Sequence, residues 1–420
     1  MAFWRRFLQR EDEAALAACT ALDVGTEFAK ALVFEIDEQG RGVVRGVGRK
    51  RQGLAHMQSG TVADIAAVVD NCSVALQEAE EMAGFRPSRV VIGIAGELVK
   101  GFTTTHSQER RKPDQPINEA ELQKLIDGVQ REALRDAERA ITWETGLPNV
   151  DVRLVHAAVT SSQIDGYPVS NPVGFQGRHV RISIFNAFAP LVHLGALQTV
   201  ASQLDLELVA IVAEPYAVAR VLGGEQVQKQ GALFIDVGGG TTDVALVRQG
   251  GIEGTRMFAL GGRAFTKSLA DQLDLPFARA EAVKVDHARG LPVDDADGVE
   301  RILVEDTAVW AAGVELVLEE LANGDLLPGR IYVCGGGSRL PHLTRALGED
   351  RFVKRLPFAR PPEIALMEPA AIESIQDATK LLIDQQDVTP MGLAYQAIEM
   401  ASSESQLDAA LRRVLRAMKV

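Results

Sequence analysis

The segment Asp236-Val237-Gly238-Gly239-Gly240-Thr241-Thr242 has residue types suited to binding phosphate. Glycine alone lets the main chain turn tightly and bring backbone N–H groups close to a ligand's oxygens. The hydroxyls of Thr241 and Thr242 stand beside the turn as further donors. Asp236, at the end of the preceding apolar run, can hold the hydration shell of Mg²⁺, which prefers few carboxylates and keeps several waters. A similar group occurs earlier: Asp23, Gly25, Thr26 and Lys30, starting 213 residues before Asp236 (236 minus 23). Two such turns facing one another would grip a polyphosphate from both sides, with Asp23 and Asp236 holding the metal through water. A glycine triplet alone fits an ordinary loop equally well. Asp-x-Gly-Gly-Gly-Thr-Thr-Asp between two apolar β-runs is far more specific.

A third element, IYVCGGGSRL over 331–340, carries an apolar run into Gly335, Gly336, Gly337 and Ser338. It is suited to letting a flat base and its ribose lie against the backbone, although alone it would also fit a plain strand-to-helix turn. The chain has no GxxxxGK[ST] motif, which removes the P-loop route to nucleotide binding. Glu214, followed by Pro215, could orient a water for attack on a terminal phosphate. It could equally be a helix-start carboxylate favoured by the dipole.

Around these residues, 20–36 reads as two β-runs joined by a Gly-Thr turn, and 231–250 as the same pattern again. Apolar residues from Ile65 to Ala83 recur at helical spacing, and Val90–Ala95 gives a short strand. Beyond Phe102 come polar strands, a proline-bracketed loop at 112–116 and a helix capped by Asn118 with Glu121 three positions on. Strand patterns from Asp151 to Phe185 complete an inserted α+β unit. Helices are expected at 191–204 and from Pro215 to Leu222, with a strand at Leu208–Val212 between them. Phe265–Ala322 is mostly helical by spacing, Arg330–Cys334 a strand, and Met391–Met400 a final helix.

At 420 residues the chain exceeds what a single core usually spans, so subdomains around a shared cleft are expected. With 46% hydrophobic and 24% charged residues, it has the composition of an ordinary α/β protein. A net charge of −13 argues against a nucleic-acid partner, which needs a basic face. Cys19, Cys72 and Cys334 have neither disulfide-framework nor zinc spacing, which suits a reducing compartment. His56, His106 and His193 lack metal-ligand spacing. No apolar run reaches the ~18 to 20 residues needed to span a bilayer.

The order of first hairpin, Glu214-Pro215 connector, second hairpin, GGG strand and closing helix after Asp387 resembles the actin, Hsp70 and sugar-kinase superfamily. Within it the chain resembles FtsA, over about residues 20 to 398. The residues that carry this are Asp23-Val24-Gly25-Thr26 with Lys30, Gly53-Leu54, Asp165-Gly166, Asn171-Pro172-x-Gly174-x-x-Gly177, Gly261-Gly262 and Ala280-Glu281-x-x-Lys284. The insertion between Ala95 and Ile184 discriminates best, since Hsp70, actin and MreB carry no such segment. Thr266-Lys267-Ser268 departs from the usual pattern, in which an acidic residue often follows the threonine.

The resemblance implies an α/β, two-lobed actin-like (ribonuclease H-like, duplicated) fold with an inserted FtsA-type α+β subdomain. It implies a tail at 1–19, subdomain IA at 20–96 and 186–214, the inserted IC at 97–185, IIA at 215–262 and 328–398, IIB at 263–327, and a linker with an amphipathic helix at 399–420. ATP and Mg²⁺ are the implied cofactors. The phosphate contacts would come from Asp23, Gly25, Thr26, Lys30 and Gly238 to Thr242, with Gly262, Glu281, Lys284 and Gly335 to Ser338 on the ribose and base side. Glu281 and Lys284 are also spaced as a plain i,i+3 ion pair. Hydrolysis would be slow at most, with Glu214 and Asp236 as the catalytic candidates.

The implied role is a division protein that self-associates through the insert and tethers the FtsZ ring to the inner face of the cell membrane. Leu407, Leu411, Val414, Leu415 and Met418 share one face of a terminal helix whose other faces carry Arg412, Arg413, Arg416 and Lys419, a pattern suited to an anionic leaflet. The same helix could instead dock on its own chain. Phe3, Trp4, Phe7 and Leu8 with Arg5, Arg6 and Arg10 form a second candidate anchor. A pilus-assembly protein like PilM and a sugar or acid kinase are the competing readings.

Overall fold

The computed structural model describes residues 18–147, 150–222, 225–248, 250–402 and 411. The candidate anchor at Phe3 to Arg10, and all of the terminal amphipathic segment except Leu411, lie outside the described residues.

Two sheets of the same topology form the framework. The first contains β1 (Ala18–Val24), β2 (Phe28–Ile36), β3 (Gly42–Arg51), β4 (Arg89–Ile94) and β8 (Glu207–Ala213). The second contains β9 (Ala232–Val237), β10 (Thr242–Arg248), β11 (Gly251–Phe258), β12 (Arg330–Cys334) and β13 (Glu363–Leu366). Their spatial orders are β3-β2-β1-β4-β8 and β11-β10-β9-β12-β13. In each, the first three strands are an antiparallel meander and the last two run parallel to the first. One plan has therefore been used twice, and the fold is two-lobed and actin-like. β14 (Ile375–Asp377) adds a sixth strand beside β3.

The insert is built from β5 (Lys100–Glu109), α2 (Glu119–Thr145), β6 (Val152–Ile164) and β7 (His179–Pro190). β5 pairs with β11 through Gly254 and Thr255, so the insert's sheet continues that of the second lobe. α2 buries Leu122, Leu125, Ile126, Val129, Ala133, Ala137 and Ile141 on one face, and they pack on Ile182, Ile184 and Phe188 of β7. Asn118 caps α2 by accepting from Glu121 N–H at 2.9 Å. Glu121 is not spent on a capping box. Its carboxylate receives a two-pronged bond from Arg110, at 2.7 and 3.0 Å, and Arg110 also donates to the carbonyls of Gln115 and Gly177. That guanidinium, with a side chain 3% exposed, ties together the two loops that carry the proline and glycine motifs. Leu411 is buried in this same apolar cluster.

Two helices occupy the junction of the lobes, α4 (Glu214–Val221) and α10 (Val388–Ser402). They share a core with Phe34 and Val212 of one sheet and Phe234 and Val247 of the other. A Cβ on Gly392 of α10 would stand 2.9 Å from Ala217 C and O, so glycine there lets the helices cross in backbone contact. Outside the junction, α1 (Ile65–Ala83) and α3 (Leu191–Gln203) cover the far face of the first sheet. The far face of the second lies under α5 (Gly262–Gln272), α6 (Phe277–Ala288), α7 (Ala296–Ala322), α8 (Pro341–Leu347) and α9 (Asp350–Arg355).

Candidate functional site

The β1–β2 and β9–β10 hairpins present their turns to a common cavity of about 390 Å³. It is lined by Asp23, Gly25, Thr26 and Lys30 from the first hairpin and Asp236, Gly238, Gly239 and Thr241 from the second. Gly262, Glu281 and Lys284 lie along another wall, Gly335, Gly336 and Gly337 along a third, and Glu214 also faces in. Three of the residues singled out from sequence do not line it. Gly240 packs on Thr26, whose Cβ, Oγ1 and Cγ2 all lie within 3.2 Å of the place a Cβ would take. Thr242 is fully buried behind the turn, donating to Leu260 O at 2.7 Å and accepting from Trp310 Nε1 at 2.9 Å. Ser338 donates to Gly335 O at 2.7 Å and shapes the loop from within.

The turns are closed by their own backbone, Gly25 N–H to Phe28 O at 3.1 Å and Gly238 N–H to Thr241 O at 2.9 Å. The start of α5 rests on the second turn, with Gly262 and Arg263 N–H donating to the carbonyls of Gly238 and Gly239 at 2.9 and 2.8 Å. Gly335 has φ +81°, and a Cβ there would lie 2.1 Å from Asp236 Oδ1, so this position needs glycine twice over. At Gly336 the nearest atom to such a Cβ is 3.9 Å away, and its face is open to the cavity.

The charges inside are unbalanced. Lys30 Nζ bonds Asp23 Oδ2 at 2.9 Å and donates to Gln386 O at 2.8 Å. Burial alone would pull the Lys30 ammonium down, but Asp23, backed by Asp236 and Asp387, holds it above the ordinary lysine value. Asp236 accepts from Thr389 Oγ1, so the start of α10 and the turn before it reach the second lobe's strand-end aspartate and, through Gln386 O, the first lobe's Lys30. Burial pushes the Asp236 carboxyl up, against the opposing pull of Thr389 and Lys30. Asp243 is driven well above the carboxylate range by burial and by Asp236, and its Oδ1 is buried with no hydrogen-bond partner among the described residues. Glu214 is likewise raised well up by burial and by Asp23, Asp243 and Asp236.

Four carboxylates thus converge with Lys30 as the cation among them. A free anion would be repelled by this arrangement. A divalent cation carrying a phosphate chain fits it, because the ion relieves the repulsion and Asp243 Oδ1 supplies an acceptor with nothing yet to accept from.

On the wall away from the aspartates, Lys284 Nζ meets Glu281 Oε2 at 2.8 Å, Gly262 O at 2.8 Å and Thr266 Oγ1 at 2.7 Å. Thr266 in turn donates to Glu281. Burial pushes the Glu281 carboxyl up, but Lys284 and Thr266 outweigh it and hold it low. This pair is largely enclosed and faces the cavity, unlike a solvated helix pair. Arg263 closes the cleft by donating to Glu27 Oε2 at 2.6 Å from the opposite lobe.

Sequence reasoning did not single out Asp243, Glu27, Arg263 or Thr389. Asp243 was within reach, because side chains on a strand alternate: Asp243 has the opposite face of β10 from Thr242, the side on which Thr241 also lines the cavity. The others are brought in from remote parts of the chain.

A family profile for cell division protein FtsA matches residues 233–379. The chain is 27% identical over 272 residues to cell division protein FtsA of Pseudomonas aeruginosa, covering 64% of this chain and 61% of that protein. It is 23% identical over 370 residues to cell division protein FtsA of Streptococcus pneumoniae, covering 84% and 77%. The chain is FtsA-like. Its match thus spans less than two thirds of the Pseudomonas aeruginosa FtsA. Among solved structures, the PilM–PilN type IV pilus biogenesis complex superposes with a TM-score of 0.63 at 18% identity, over 91% of this chain and 98% of that one. That superposition extends the likeness in fold over nearly the whole of both chains. Among the described residues, no helix is long and apolar enough to cross a membrane.

Proposed function

We propose that this FtsA-like chain is an ATP-binding, polymer-forming division protein that tethers the FtsZ ring to the inner face of the cytoplasmic membrane. The observation that carries the nucleotide part is the pair of hairpins around one acidic cleft, whose lining includes Asp243 with its Oδ1 unsatisfied among the described residues. Asp23 and Asp236 hold Mg²⁺ through water, and the ion supplies the positive charge that the phosphates and the carboxylates both need. Lys30, Gly25, Thr26, Gly238, Gly239 and Thr241 take the phosphates, while Gly262, Glu281, Lys284 and Gly335 to Gly337 take the ribose and base. Glu214, raised above the ordinary carboxylate range by burial and by Asp23, Asp243 and Asp236, is the candidate for orienting an attacking water, and hydrolysis is slow at most.

The insert, residues 97–185, is the self-association unit in this reading, and it exposes Tyr167 and Phe175. The helical segment from Phe265 to Ala322 faces FtsZ. On α7, Val309 and Leu316 stand exposed one heptad apart, a spacing suited to an apolar partner segment. The terminal amphipathic segment binds anionic lipid, and Leu411 leaves the insert's core to do so.

The test is a pull-down against FtsZ with and without Mg-ATP. Retention of FtsZ supports the reading. Binding to a pilus-assembly peptide in place of FtsZ supports a PilM-like role, which shares the fold.

A further inference from the structure

Behind the wall formed by α6 and α8, three side chains from three different helices point at one another. His287, near the end of α6, brings Nε2 to 2.8 Å from Glu300 Oε2. His342, in the first turn of α8, brings its own Nε2 to 2.9 Å from the same oxygen. Glu300 stands in the second turn of α7. The three ligand atoms all lie within 4.8 Å of one another, and the two imidazole rings stack at 6.1 Å between centroids.

We propose that His287, Glu300 and His342 form a binding site for a first-row transition-metal ion, zinc above all, which clasps α6 and α8 together across the start of α7. Two imidazoles and one carboxylate are a donor set that zinc favours over magnesium or calcium, whose ligands are oxygen. Zinc to nitrogen or oxygen distances of about 2.0 to 2.2 Å put neighbouring ligands of a tetrahedral ion about 3.4 Å apart. The two nitrogen-to-oxygen separations open to that value by a sub-ångström swing of the carboxylate, and the two nitrogens lie within 4.8 Å of each other.

The surroundings suit such an ion. The His342 side chain is 6% exposed and that of His287 17%, so the nitrogens lie in a sheltered site, while Glu300 at 44% leaves one side open for a water as fourth ligand. A simple structural ion pair would need one histidine. Here a second, from a helix 42 residues beyond Glu300, is aimed at the same oxygen. Because the ligands are spread over positions 287, 300 and 342, no sequence spacing announces them. The ion would fix the separation of two helices that both contribute to the cavity, α6 through Val285 and Ala288 and α8 through Leu343.

The experiment uses the full chain, stripped of metal and kept in excess Mg²⁺ so that the acidic cleft is occupied. Zn²⁺ is titrated by calorimetry and Co²⁺ by its visible absorption. One ion per chain is expected, with cobalt bands of a four-coordinate nitrogen and oxygen site and a rise in melting temperature on zinc addition. His342→Ala, and separately Glu300→Gln, should each weaken binding at least about tenfold, and His106→Ala should leave it unchanged. Melting curves of the metal-free variants separate loss of the site from loss of the fold, and wild-type binding stands as a measurement independent of any variant. Absence of saturable one-to-one binding, or a site that persists unchanged in the His287→Ala, His342→Ala double variant, overturns the proposal.

Discussion

Lys30 and Asp243 occupy the same place in a duplicated hairpin. Lys30 lies opposite Asp23 in the register of β1 and β2, and Asp243 lies opposite Asp236 in that of β9 and β10. Each is seven residues beyond its aspartate (30 minus 23; 243 minus 236). Duplication has thus placed a cation in one half and, in the other, a carboxylate with one oxygen that no described residue satisfies. The difference makes the cleft acidic on the second-lobe side and leaves Lys30 to neutralise it from the first.

Removing the cation should be costly. Lys30→Met would leave Asp23 buried beside Asp236 without compensation, a change on the order of 3 kcal/mol. Denaturant unfolding of the nucleotide-free protein should show that loss, and unchanged stability would mean Lys30 is not neutralising the cleft.

The pH dependence has a definite sign. Asp236, Asp243 and Glu214 are all raised above their ordinary values of 3.8, 3.8 and 4.5, so above those values the folded chain holds more protons than the unfolded one. Stability then falls as pH rises through the folded values. The melting temperature of the nucleotide-free protein should therefore drop as pH rises above the ordinary carboxylate values of 3.8 and 4.5. Asp243→Asn should flatten that slope and raise the melting temperature at the upper end, while weakening Mg-ATP binding. An equally steep slope in the variant would contradict the assignment.

Across the cleft, Arg263→Ala removes the bond to Glu27 that spans the lobes, and Glu27 then keeps only Arg51, which is half exposed. A partly buried pair of this kind is worth about 1 to 2 kcal/mol. Calorimetry should show nucleotide affinity down by roughly tenfold with the fold intact. Affinity at the wild-type level would mean the pair is only a surface tie.

Gly335→Ala should be damaging in two ways. It forces a side chain into a left-handed φ of +81° and places its Cβ 2.1 Å from Asp236 Oδ1. A loss of about 1 to 3 kcal/mol is expected from the backbone alone, with nucleotide affinity reduced further because Asp236 must move. Gly336→Ala, where the space is open, should fold normally and impair only nucleotide binding.

Much of this was legible in the chain itself. The Asp-x-Gly pattern, seen at Asp23 and again at Asp236, revealed the duplication because a tight turn after a buried strand restricts which residues can stand there. The insert was legible because its proline and glycine loops interrupt two strand runs. What the sequence concealed lies in long-range geometry. Glu27 meets Arg263 and Thr389 meets Asp236 through folding of remote segments, so no local spacing marks them. Thr242 was expected among the phosphate contacts, yet strand alternation turns it toward Trp310. Glu121 had the capping-box position, but the buried Arg110 competes for its carboxylate and takes it. Leu411 fits both an amphipathic anchor and a core residue, and composition does not distinguish a helix that meets lipid from one that meets its own chain.

The central claim, a nucleotide-dependent tether, is tested most directly by recruiting purified FtsZ to anionic vesicles. With the full chain and Mg-ATP present, FtsZ should sediment with the vesicles, and it should stay in solution when residues 404–420 and 1–10 are removed or Asp236 is replaced by alanine. FtsZ left in the supernatant with the intact chain, or sedimenting equally with every form, would contradict the account.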